Sequence, residues 1–302
     1  MIREPVEGGW SSLVDEMENF QEIAKFLRPE PGAVPELTGV DIHGRSLPLN
    51  GVVGGDHIVY IDYRKRYDLD SRISWAEAAG RAEVVEQLRL NKQRAGILLA
   101  DAAGHRLTDA LLVAMLHQAF LLGSYYELDR HGTITTRIFE NINARFYEST
   151  TVNKYLTAMY GEISSEGKFR FISAGHPAPV VFSREFGKIM KISEDRTISY
   201  QPIGVLPSAS DLDTPRDGGL SDYKKRYTVN EINLLGTGDI LVLHTDGLSE
   251  HGDGEYFPGE LERCLREAKD LTAREIADRI EESLAAWGAP TDDVSFVVIK
   301  KA

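Results

Sequence analysis

The chain has 302 residues, with 34 Lys and Arg against 47 Asp and Glu and a formal net charge of −13. The length allows one large domain or two small ones with a sizeable core, and so acidic a balance argues against non-specific binding to nucleic acid or to an anionic membrane. Cys264 is the only cysteine, which excludes an intrachain disulfide or a cysteine zinc site and fits a reducing compartment. The first residues lack an apolar signal-peptide core, and no run approaches the roughly 18 apolar residues of a membrane span. The expectation is a soluble, cytoplasmic protein.

In chain order, residues 11–27 read as a helix. Leu13, Met17, Phe20, Ala24 and Leu27 recur in steps of four and three, a seam of two heptads. Two readings stand: a helix packed on its own domain, or the contact of a homodimer or a regulatory partner. "RPEPGAVPEL" then breaks the helix with three prolines. A division into a helical segment 1–30 and a second domain 31–302 follows.

From residue 38 apolar and polar residues alternate, and "GVDIHGRSL" and "VVGGDHIVYIDY" read as strands. Residues 74–94 read as one helix opened by a Ser74–Glu77 capping box, within a helical insertion at about 64–94. "AGILLAD" is wholly apolar and reads as a central strand. Two helices are predicted at 107–122 and 133–148. A hairpin follows around "SSEGK", with Gly167 in the turn, then a second pair, "APVVFS" and "GKIMKIS". Residues 209–225 read as a long polar surface loop. "DILVLHTDG" is a buried strand, helices follow at 259–268 and 273–287, and "DDVSFVVIK" closes the chain. Strands in blocks and helices in pairs predict an α+β fold, two antiparallel sheets face to face with a helix pair outside each.

The chemistry concentrates at strand ends. Asp101 ends "GILLAD", Asp246 follows "LVLHT", Asp292 and Asp293 precede "VSFVV", and Asp56 lies in "VVGGDHIVY". Taken singly, an Asp beside a Gly is a common turn residue. Several carboxylates at the ends of apolar strands are costly unless something neutralises them. With no Arg among them, hard cations with oxygen ligands answer the problem. Gly54, Gly55 and Gly104 remove bulk beside these residues.

With these segments in view the chain resembles the metal-dependent protein phosphatases of the 2C type, in their bacterial sporulation-phosphatase and sigma-factor-regulator branch. The resemblance rests on "LRPEPGAVPELTGVDIHG", "VVGGD", "LLADAAGH", "FISAGHPAPVVF", "QPIGVLPS", "LGTGDILVLHTDGLSE" and "DDVSFVV", in that order. It implies an αββα sandwich and two Mn²⁺ or Mg²⁺ ions at one sheet edge. Asp101 would bridge both ions, Asp56 would bind directly or through water, Asp246 would hold the second ion, and the carbonyl of Ala102 would complete the set. Asp292 aligns with the last ligand position better than Asp293. The implied reaction is hydrolysis of phosphoserine or phosphothreonine by a metal-activated water, on a phosphorylated protein such as an anti-sigma-factor antagonist.

The family's Gly-His-Gly is here Gly104-His105-Arg106. His105 is a candidate proton donor to the leaving alkoxide or a structural loop residue, and Arg106 a candidate fork on the substrate phosphate or a solvated side chain. His176, in "AGHPAP", reads as structural. The 64–94 insertion reads as a docking or regulatory element. The altered motif keeps a second function in play, a catalytically impaired relative that binds the phosphoregulator.

Overall fold

The computed structural model describes residues 7–28, 33–51, 53–103, 109–149, 154–193, 197–208, 225–234 and 236–302, with side chains from Val14 onward. Helix α1 (Glu7–Ala24) runs into a 3₁₀ turn at Lys25–Leu27. Then come β1 (Val40–Leu47), β2 (Asp56–Asp62), the short α2 (Tyr63–Arg66), α3 (Leu69–Ala78), α4 (Ala82–Asn91) and β3 (Arg94–Ala102). Helices α5 (Asp109–His131) and α6 (Thr136–Ser149) precede β4 (Leu156–Ser164), β5 (Lys168–Ala174), β6 (Val180–Ser183), β7 (Lys188–Met190), β8 (Ser199–Tyr200) and β9 (Asn230–Asn233). The chain closes with β10 (Ile240–His244), α7 (Asp246–Ser249), α8 (Gly259–Ala268), α9 (Ala273–Trp287) and β11 (Val294–Lys301).

The strands form two sheets, one in the order β1-β11-β10-β6-β7, the other β2-β3-β4-β5-β8 with β9 also on β5. All pairings are antiparallel except β5 with β8. The fold is an αββα sandwich, as the pattern of strands and paired helices predicts. Its wholly apolar strands are buried on both faces. Along β3, Leu98 and Ala100 join the layer under α3–α6, whereas Ile97 and Leu99 join the layer between the sheets. Along β10, Ile240 and Val242 face α8 and α9, and Leu241 and Leu243 face the other sheet. A strand with two buried faces has no reason to alternate with polar residues.

The same period of two places the acidic residues. Asp101 is in phase with Ile97 and Leu99, and Asp56 with Ile58 and Tyr60, all between the sheets. β2 begins and β3 ends at one edge, and β10 ends and β11 begins there too. The carboxylates therefore meet where the inter-sheet layer runs out.

Several expectations change. Residues 74–94 are two helices, because Gly80 takes φ +67° after α3. The cap of α3 is Asp68, whose carboxylate accepts from Ser71 N at 3.0 Å, while the Ser74 hydroxyl donates back to Asp70 O. The insertion is also part of the core: Leu69, Ile73, Ala76, Val84, Val85 and Leu88 cover the helix side of the second sheet. In the N-terminal helix, Ala24 and Leu27 are buried in that core and Phe20 packs on it, but Met17 is exposed. The seam thus divides between a docked end and an outward end, and the side chain of Leu13 is outside the described residues. The loop at 209–224 also lies outside them.

Candidate metal centre at the open end of the sandwich

Asp56 and Asp101 are direct partners in the β2–β3 ladder. The Asp56 carboxylate is buried, and Oδ2 accepts from Thr245 Oγ1 at 2.7 Å. Thr245 Oγ1 accepts in turn from Ser295 N at 3.0 Å. One hydroxyl therefore joins β2 of one sheet to β10 and β11 of the other. Burial, then the charge of Asp101, raises the pKa of Asp56 well above the usual carboxylate range.

Asp101 lies beside Asp246, Asp292 and Asp293. Burial and then the charge of Asp246 push its pKa up to about 8. The two carboxylates, brought in from opposite sheets, stand close enough for each to bear on the other's ionisation. Burial and then Glu250 raise Asp246 overall. Carboxylates that burial and one another push toward the neutral form are the arrangement a cation would relieve.

Asp293 has a different occupation. Its Oδ1 accepts from Leu49 N and its Oδ2 from Gly55 N, both at 2.6 Å, so it pins the Gly54–Gly55 bend over the site. A Cβ on Gly54 would overlap this carboxylate, and one on Gly247 would overlap the main-chain oxygen of Asp293. Those two glycines are there for close approach. Asp292 turns back, its Oδ1 accepting from Asp293 N at 2.8 Å. Ala102 is fully buried, its N–H donating to Gly55 O at 3.0 Å.

The structure thus gathers Asp56, Asp101, Asp246, Asp292, Asp293 and Ala102 at one edge. Gly104, His105 and Arg106 lie outside the described residues. Among the described residues no three Asp, Glu, His or Cys side chains stand in a ready-made metal cage. The donor set, all oxygen, suits Mg²⁺ or Mn²⁺.

Some of the site was not expected from the sequence. Thr245, the tie between sheets, stands directly before Asp246 in "HTDG", and a hydroxyl among buried strand residues was the available signal. His57 is buried, its Nε2 2.8 Å from Nδ1 of His117 on α5. Phe26 meets the His117 ring edge-on at 5.8 Å, so the end of the N-terminal helix touches the residue next to Asp56 through one intermediate. Burial pushes the pKa of His57 down to about 3, which keeps its ring neutral.

The sandwich has the fold of the PP2C-type phosphatases. Residues 91–302 match the family of Stage II sporulation protein E (SpoIIE), and the chain belongs to that family. No curated protein matches the sequence. Among solved structures, the SiaA-PP2C domain of Pseudomonas aeruginosa superposes with a TM-score of 0.65 at 15% identity, covering 98% of this chain and 99% of that one. The RsbU and RsbW domains of Rv1364c from Mycobacterium tuberculosis give 0.58 at 18% identity, covering 89% of this chain. This chain spans 61% of that chain's length. RsbX, in complex with magnesium, gives 0.53 at 14% identity and covers 89% and 98%. At these identities the likeness is one of fold. Among the described residues no helix is long and apolar enough to cross a membrane.

Proposed function

We propose that the protein is a metal-dependent serine/threonine phosphatase acting on a phosphorylated regulatory protein. The observation that carries this reading is the Asp101–Asp246 pair. Two carboxylates from opposite sheets stand close enough that burial and Asp246 raise the pKa of Asp101, with its ladder partner Asp56 and with Asp292 and Asp293 close by. The magnesium complex of RsbX, which shares the fold, supports it.

In this reading Asp101, Asp246, Asp56 and Asp292, with the carbonyl of Ala102, hold two Mg²⁺ or Mn²⁺ ions. When bound, such ions lower the pKa of a water to near neutrality and neutralise the phosphoryl oxygens. The chain's own work is to present Asp101 and Asp56, whose burial favours their neutral forms, as carboxylates when the ions bind, beside Asp246 and Asp292. Thr245 fixes the rotamer of Asp56 from the other sheet, and Asp293 holds the Gly54–Gly55 bend. No side-chain nucleophile is needed, and the one cysteine is buried on α8 with its thiol pushed up to about 11. His105 is proposed as proton donor to the serine alkoxide and Arg106 as a phosphate ligand. An anti-sigma-factor antagonist is the proposed kind of substrate, and the cytoplasm the proposed compartment. The outward Val14 and Met17 of α1, 52% and 47% exposed, are proposed as a homodimer contact. Removing residues 1–20 should then abolish a dimer seen by sedimentation.

The test is phosphate release from a phosphoserine peptide with and without Mn²⁺, in wild type and Asp101→Asn. Mn²⁺-dependent release lost in the variant is expected. Mn²⁺ binding without turnover on any phosphopeptide or phosphoprotein would instead make the protein a binding relative.

A further inference from the structure

His176 stands in the turn after β5 and has no part in the mechanism above. It is buried, 4% exposed. Its Nδ1 exchanges a hydrogen bond with Thr157 Oγ1 at 2.9 Å. Thr157 on β4 is the ladder partner of Asp101 on β3, in phase with Met159 and Ile163 of the inter-sheet layer, so His176 reaches the row of residues beside Asp101. The ring's other nitrogen, Nε2, is buried with no hydrogen-bond partner, so Thr157 is what anchors the ring.

The turn is built to hold it there. Gly175, at φ +67°, pairs with Ala158 of β4. Ser173 Oγ donates to the main-chain oxygen of His176 at 3.1 Å. Burial keeps the ring neutral, its pKa down to about 3, so it carries one donor nitrogen and one acceptor nitrogen. A purely apolar plug would serve packing at this depth. A neutral imidazole bonded to Thr157 costs more to bury and gives direction instead.

From this placement, and resting on the metal-dependent reading above, we infer that His176 is a positioning residue that, through Thr157, orients the neighbouring Asp101 carboxylate toward the divalent ions. It touches neither ion nor substrate. Partners behind metal ligands typically change metal affinity by 10–100-fold when removed.

The experiment measures Mn²⁺ affinity by calorimetry on wild type, Thr157→Val, His176→Phe and the double variant, with the melting temperature of each in EDTA. Thr157→Val keeps the side-chain shape and removes only the hydroxyl. His176→Phe keeps a ring and removes the hydrogen bond to Thr157. Each single variant should weaken Mn²⁺ binding by about tenfold or more, and the double variant should be no weaker than the worse single one. A lower melting temperature with Mn²⁺ affinity unchanged would show a merely structural histidine and overturn the inference. If His176→Phe does not fold, Thr157→Val decides alone, and unchanged affinity there overturns it. Wild type that binds no Mn²⁺ would defeat the metal-dependent reading itself, a result separate from wild-type binding that the variants leave intact.

Discussion

Replacing Asp101 with asparagine should stabilise the metal-free protein at alkaline pH while destroying its metal site. The folded carboxyl has its pKa at about 8 against 3.8 in an unfolded chain. Below pH 3.8 both states hold the proton and ionisation of Asp101 has no effect on stability. Between 3.8 and 8 only the unfolded chain releases it, so stability falls as pH rises, and above 8 the loss is complete. A rise of about four units, at about 1.4 kcal/mol per unit, gives roughly 5 kcal/mol as an upper limit for the full loss. An asparagine cannot ionise, and its amide can donate to the neighbouring Asp246. Urea unfolding in EDTA at pH 5 and pH 8 is the assay. Wild type should lose several kcal/mol between the two, and Asp101→Asn should keep only the shallower slope left by Asp56 and Asp246. The variant should therefore be the more stable protein at pH 8. Equal slopes in the two proteins, or a variant less stable at pH 8, would refute the reasoning.

Other consequences follow from single contacts. Thr245→Val removes the donor to Asp56 and the acceptor for Ser295 N in a fully buried position, and should cost about 1–3 kcal/mol in urea unfolding; a change under about 0.5 kcal/mol would contradict the bridging role. Gly247→Ala drives a Cβ into the main-chain oxygen of Asp293 and should cost about 1–3 kcal/mol or more, whereas Gly259→Ala, with nothing within 4 Å, should stay within about 0.5 kcal/mol of wild type. Leu88→Ala, fully buried on α4, should cost about 2–5 kcal/mol; a smaller loss would mean the insertion is not part of the core.

The strands were readable because both-face burial leaves uninterrupted apolar runs, and a carboxylate ending such a run stands out. Asp56, Asp101 and Asp246 were accordingly visible as a set, with Asp292 and Asp293 close behind. What sequence pattern could not give was pairing across the sandwich. Thr245 to Asp56 spans 189 residues of chain, and Asp293 to Gly55 spans 238, and no periodicity encodes either. Thus the pattern ranks Asp293 below Asp292 as a ligand but does not show that Asp293 pins the glycine bend. Local rules also misled at α3, where Ser74 and Glu77 have capping-box spacing but lie inside the helix that Asp68 opens. The insertion looked like an appendage because its apolar positions, from Leu69 to Leu88, are spread over two short helices. Only packing against the sheet shows that they belong to the core.

Anomalous diffraction from crystals grown with Mn²⁺ tests the central claim most directly. The account predicts two manganese peaks roughly 3.5–4 Å apart, between Asp101 and Asp246, with the two carboxylates turned from each other toward the ions. No manganese at that edge at saturating Mn²⁺ would contradict it.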